Sequence, residues 1–174
     1  MKKISLLLTV LSLIFITQTS ANGQNKYPSN ETDLSKITIS MKRDGFPCGY
    51  VPVNEKDLSG CPAYSITIAN DGTVTYQGIR SVKARGKRTF TIPAEQVKEL
   101  LADFERVKFF ELQDKYTEKR LPDGSVLFRD HSNGTTITLK VGDKTKSIYN
   151  FYGAPEELDA LQMKLDDISK YLQR

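Results

Sequence analysis

In Ile37–Met41, Tyr64–Ile68 and Val74–Tyr76 the apolar residues of this chain recur at every second position, and from Val97 to Val107 at every third or fourth. The same change of period repeats in the second half. Few folds tolerate that order. Ile37, Ile39 and Met41 alternate with Thr38 and Ser40, as a half-buried strand requires. Tyr64, Ile66 and Ile68 then alternate with Ser65 and Thr67. Asn70-Asp71-Gly72 supplies residues suited to positive φ, after which Val74 and Tyr76 resume the pattern, so this stretch predicts a hairpin. Residues 79–85 and 88–92 read as a second hairpin turning at Gly86, with Val82, Ala84, Phe90 and Ile92 inward.

Pro93 suits a first helical turn, and Val97, Leu100, Leu101, Phe104 and Val107 form one apolar face, which predicts a helix over about 93–109. Residues 111–124 read as an irregular charged connection anchored by Leu112 and Tyr116. Strands return at about 125–130, 135–141 and 144–149. Gly153-Ala154-Pro155-Glu156-Glu157 is a start signal for a last helix over 155–172, whose Leu158, Leu161, Leu165, Ile168 and Leu172 form a stripe. Strands then helix, twice over, predict an α+β fold. An antiparallel sheet carries both helices on one face.

The compartment follows from the first residues. Lys2 and Lys3 precede an apolar run from Ile4 to Ile16, and Thr19-Ser20-Ala21 offers small residues to a signal peptidase, so 1–21 reads as a signal peptide cut after Ala21. The run is shorter than the roughly 20 apolar residues of a membrane span, and no Cys stands near the site to accept a lipid. A soluble periplasmic or secreted protein is expected, with no transmembrane span after processing. Residues 22–35 are polar and read as a flexible leader, and 36–174 as one domain. Loss of Lys2 and Lys3 lowers the formal charge from +4 to +2, which singles out no partner.

Cys48 and Cys61 are the two cysteines of a chain that leaves the reducing cytosol, so a structural disulfide between them is expected, contributing about 3 kcal/mol. The spacing is unlike a Cys-x-x-Cys redox centre, and with one distant His the pair falls short of four zinc ligands. No catalytic residue, metal site or cofactor is assigned. His131 lies in the turn-like Asp130–Gly134, which lacks the geometry of a Ser/His/Asp triad. The acid pairs Glu156/Glu157, Asp166/Asp167 and Glu111/Asp114 read as solvated helix or connection faces, because neighbouring positions do not confront each other across a cleft.

The sharpest functional feature is electrostatic. Arg80, Lys83, Arg85, Lys87 and Arg88 occur between Gly78 and Thr91 with no acid, on what reads as a protruding hairpin. They are the candidate binding residues for an anionic glycan, a lipid headgroup or an acidic envelope protein, with Lys83 and Arg85 expected on the outward face. Cations that merely guard a sheet edge would look the same. Nucleic acid fits poorly, because export separates the chain from it and the segment lacks aromatics to stack on bases.

Gly60-Cys61-Pro62-Ala63-Tyr64, then Asp71-Gly72-Thr73-Val74, the basic segment through Gly86-Lys87 and the ending Tyr152-Gly153-Ala154-Pro155 together resemble the bacterial family called domain of unknown function 6438, over roughly residues 36–172. The resemblance implies a small exported domain and no established activity. In the family pattern the two cysteines stand close together before the Pro, whereas here Tyr50–Gly60 widens the gap. The combined expectation is an exported, noncatalytic binding module of unknown ligand and oligomeric state. The alternative is an unrecognised envelope hydrolase or thiol redox protein.

Overall fold

The computed structural model describes residues 36–45, 60–129 and 133–173. The expected signal peptide and leader, Cys48 and His131 lie outside the described residues.

Alternation is realised in four strands before the first helix: β1 (Ile37–Asp44), β2 (Ala63–Ala69), β3 (Thr73–Arg80) and β4 (Gly86–Thr91). The first helix, α1 (Ala94–Arg106), begins directly after Pro93. It is followed by a 3-10 turn, Phe109–Glu111, three short strands β5 (Lys115–Thr117), β6 (Lys119–Arg120) and β7 (Val126–Leu127), and the long pair β8 (Thr135–Val141) and β9 (Lys144–Tyr152). The chain ends in α2 (Glu156–Ile168) and a short α3 (Lys170–Gln173).

Seven strands form one sheet in the order β4-β3-β2-β1-β8-β9-β5, while β6 and β7 pair separately. Every neighbouring pair is antiparallel except β5 and β9, which run parallel. The fold is α+β with a mostly antiparallel sheet. β1 lies at its centre, joining the first half to the second through Met41 opposite both Ile66 and Ile137.

One sheet face is apolar. Ile39, Met41, Tyr64, Ile66, Val74, Tyr76, Ile137 and Ile148 are all buried there in one cluster with Val97, Leu100 and Phe104 of α1 and Leu158, Leu161 and Leu165 of α2. Burying a side chain of this size contributes about 1.5–3 kcal/mol, so this layer, not helix propensity, holds α1 and α2 in place. Tyr64 and Tyr76 stack with ring centroids 5.8 Å apart, and Phe104 meets Phe109 edge-on at 4.8 Å.

Three expectations need correction. The second hairpin does not turn at Gly86: β3 runs on to Arg80 and pairs with β4 from Gly86, leaving 81–85 as the connecting loop. The alternation of that loop has a different origin, since Val82 is buried in the core and the N–H groups of Lys83 and Ala84 donate to the carbonyls of Gln173 (3.2 Å) and Leu172 (2.8 Å). Its bonding partner is the chain's last turn. Secondly, the strand expected at 125–130 shrinks to Val126–Leu127, whereas β5 forms within the supposedly irregular connection by pairing with β9. Lastly, the final helix is interrupted at Ser169, whose backbone at φ −111 and ψ 12 leaves the α2 path before α3.

Candidate functional site

The five candidate cations do not share one surface. Arg80 ends β3 half-buried, and its Nη2 donates to the carbonyl of Gly45 at 2.6 Å, so it serves the fold. Lys83 is exposed on the 81–85 loop, but Arg85 is half-buried there. The expected outward pair of Lys83 and Arg85 is therefore not realised, because 81–85 is a bend and not a strand with alternating faces. Lys87 and Arg88 are both exposed on β4, the edge strand, and point to opposite sides of the sheet, opposite Gln77 and Tyr76 respectively.

Next to this loop lies a cleft of about 620 Å³, where the ends of β1 and β2 meet the C-terminal end of α2. Arg43, Ser81, Asn133, Asp166 and Lys170 are among its lining residues. Alternation places Tyr64 inward, and a buried phenol needs a partner for its hydroxyl. Asp166 provides one. Its carboxylate accepts from the Tyr64 hydroxyl and, through two bonds, from the Arg43 guanidinium, of which Nε lies at 2.9 Å. Both charged side chains of the pair are only 18% exposed. Burial first, and the neighbouring Asp166 charge second, push the Tyr64 hydroxyl far above the usual phenol range. Burial opposes the charge on Arg43, yet the bonds it donates to Asp166, that carboxylate's charge and the Tyr64 hydroxyl together outweigh it and hold its pKa above the ordinary value.

Asp166 is thus not the solvated helix residue that the sequence suggests. Asp167 beside it is, and Lys170 lies 3.1 Å from it. A second buried acid, Asp103 of α1, receives Arg106 of its own helix and Lys164 of α2, tying the helices together. Among the described residues, no group of three or more His, Cys, Asp and Glu side chains could hold a metal ion.

Ser81 stands apart in this cleft. It is 3% exposed, its hydroxyl has no hydrogen-bond partner among the described residues, and its φ of 52 puts a non-glycine residue in the left-handed region. Strain of this kind costs about 1–2 kcal/mol and persists only where surrounding contacts enforce it. Here the flanking contacts are the Arg80 bond to Gly45 and the Lys83 and Ala84 bonds to the chain's end. Sequence reasoning passed over Ser81, for nothing in its neighbours signals a positive φ.

The model of the family described as domain of unknown function (DUF6438) matches residues 58–169. The chain belongs to that family. The DUF6438 match begins after β1 and ends at Ser169, narrower than the 36–172 of the resemblance, and it takes in Cys61 but not Cys48. It includes Tyr64, Ser81, Asp166 and all five hairpin cations, whereas Arg43 and the central strand β1 fall before it. No curated protein matches the chain.

Proposed function

We propose that this chain is an exported, noncatalytic binding module that attaches to an anionic partner in the bacterial envelope or outside the cell. The observation that carries the reading is how the charges are used. In the cleft, Arg43, Tyr64 and Asp166 are committed to one another and Lys170 to Asp167, an arrangement that fixes α2 to the sheet and leaves these groups poorly placed to move protons. Lys83, Lys87 and Arg88 instead project into solvent from the loop and the edge strand beside it. A cationic projection on a rigid scaffold suits attraction of an anion.

Export is supported by the order of Lys2-Lys3, apolar run and Thr19-Ser20-Ala21. A structural Cys48–Cys61 bond is supported by the disulfide-bonded state of Cys61 and by the proposed compartment.

The test is titration of the protein with polygalacturonate, anionic phospholipid vesicles and polyglutamate at two salt concentrations. Binding to at least one probe should weaken as salt rises, since screening acts over about 8 Å at physiological ionic strength. Changing Lys83→Gln with Arg88→Gln tests the hairpin's share. Failure to bind any of the three, or affinity indifferent to salt, overturns the reading.

A further inference from the structure

The sheet face turned away from the helices has an order that the sequence alone does not reveal. Strand register aligns Thr89, Thr75, Thr67, Ser40, Thr138 and Ser147 side by side across six consecutive strands from β4 to β9. All six side chains stand on the face opposite the buried core, and none is fully buried. At about 4.8 Å between strands, the row is a hydroxyl track about 24 Å long that follows the twist of the sheet. Within it Thr138 and Ser147 share a hydrogen bond of 2.8 Å.

Lysines border the track. Two residues along the strands, about 7 Å away, Lys87 and Lys42 flank it on one side, with Lys115 further along that row, and Lys140 flanks it on the other. Asp44 is the one acid in the seven strands of this sheet, and it lies 3.1 Å from Lys42. The helices show the reverse. There are four acids in α1 and five in α2, against two cations and one. The modest net charge of the chain therefore hides two layers of opposite sign, with the positive one open to solvent.

We infer that this open sheet face is a binding surface for a carboxylate-bearing polysaccharide laid across the strands along the hydroxyl row. Hydroxyls both donate and accept, as the hydroxyls of sugars do, so the row can meet a glycan chain whichever way its groups point. Lysines on both sides meet carboxylates that project from either edge of such a chain. The three rows offer little of what other occupants require. A bilayer is entered by apolar side chains, and protein interfaces are anchored by Trp, Tyr and Arg. Single-stranded nucleic acid stacks on aromatics. Here the three rows consist of Thr, Ser, Lys and Gln, with Ala69 and Tyr149 as the exceptions. The inference rests on the proposed anionic partner and deepens it, since Lys87 belongs to both the hairpin and this face.

The experiment titrates the full chain with polygalacturonate, with neutral dextran as control and with anionic phospholipid vesicles as competitor class. Wild type should bind polygalacturonate in a salt-dependent way and ignore dextran. Lys42→Gln combined with Lys140→Gln should weaken binding about three- to tenfold, the effect of losing two exposed charge contacts. Thr67→Glu should reduce it further by placing a like charge in the track. Lys83→Gln with Arg88→Gln, which lie on the loop and on the helix side of β4, should weaken it less than the face pair does. Unchanged melting temperatures keep the comparison on folded protein. If the loop pair abolishes binding and the face variants do not, the face is overturned while the anionic partner stands. Binding to vesicles but not to polygalacturonate has the same consequence. If no anion binds at all, both readings fall.

Discussion

Replacing Asp166 by Asn should cost the protein about 2–4 kcal/mol. The carboxylate holds three bonds, two from Arg43 and one from Tyr64, and both ionic side chains retain only 18% exposure. Asn keeps the shape, but its amide nitrogen cannot accept, so the Arg43 Nη2 donor is left facing N–H groups and a half-buried guanidinium loses its counter-charge. Breaking a fully buried pair costs about 3–5 kcal/mol, and residual solvent here screens part of that. For a chain of this size, at about 3 °C per kcal/mol, the loss corresponds to roughly 6–12 °C in melting temperature. Urea unfolding followed by circular dichroism measures it.

The same reasoning predicts the rescue. A triple variant, Arg43→Met with Tyr64→Phe and Asp166→Leu, removes every orphaned group at once and should recover to within about 1 kcal/mol of wild type. A single variant that loses less than about 1 kcal/mol would show that the cluster is solvated and contributes little. A triple variant as unstable as the sum of its single changes would refute the argument that orphaned charge, and not lost packing, is the cost.

Ser81→Gly should raise the melting temperature by about 2–4 °C, because relief of the left-handed backbone and of the orphaned hydroxyl exceeds the entropy cost of glycine; a thermal melt with no rise would contradict the strain. Gly78→Ala should destabilise by about 1–3 kcal/mol, since a Cβ there would come within 1.9 Å of the Ala84 carbonyl oxygen, and an unchanged urea midpoint would disprove that contact. Stability should also fall in alkali. Tyr64 ionises near 10.0 when unfolded and much higher when folded, so its contribution is complete below pH 10 and is lost as pH rises toward the folded value. Unfolding free energy measured from pH 8 to 11 should decline above 10. Tyr64→Phe should reduce the slope, leaving the share of Tyr76, whose pKa burial pushes up to about 12.

What the sequence disclosed was whatever its local periods encode. β1, the β2–β3 hairpin and the buried stripes of α1 and α2 follow directly from residues such as Ile39, Ile66, Leu100 and Leu161. β5 escaped because Lys115-Tyr116-Thr117 has no alternation of its own and becomes a strand only by lying beside β9. The 81–85 loop was misread for a related reason: its hydrogen-bond partners are supplied by Leu172 and Gln173, some 90 residues away. Asp166 was open to detection. A carboxylate in the last turn of a helix faces the negative end of the dipole, so its position called for a cation, and inward-pointing Tyr64 called for an acceptor. Reading those two needs together would have joined them. The hydroxyl row could not be read at all, since each Thr or Ser is an ordinary outward strand residue until register aligns it.

The position of β1 bears on when this protein can fold. It is made early but completes its hydrogen bonding only against β8, through pairs such as Ile39 with Leu139. Closure of the loop after β3 waits longer still, for the carbonyls of Leu172 and Gln173, some 90 residues further along the chain. Contacts so distant in sequence assemble slowly, because the entropy of closing long loops must be met before they form. An incomplete chain emerging from the ribosome lacks the second flank of its central strand, so no native-like half is available to it.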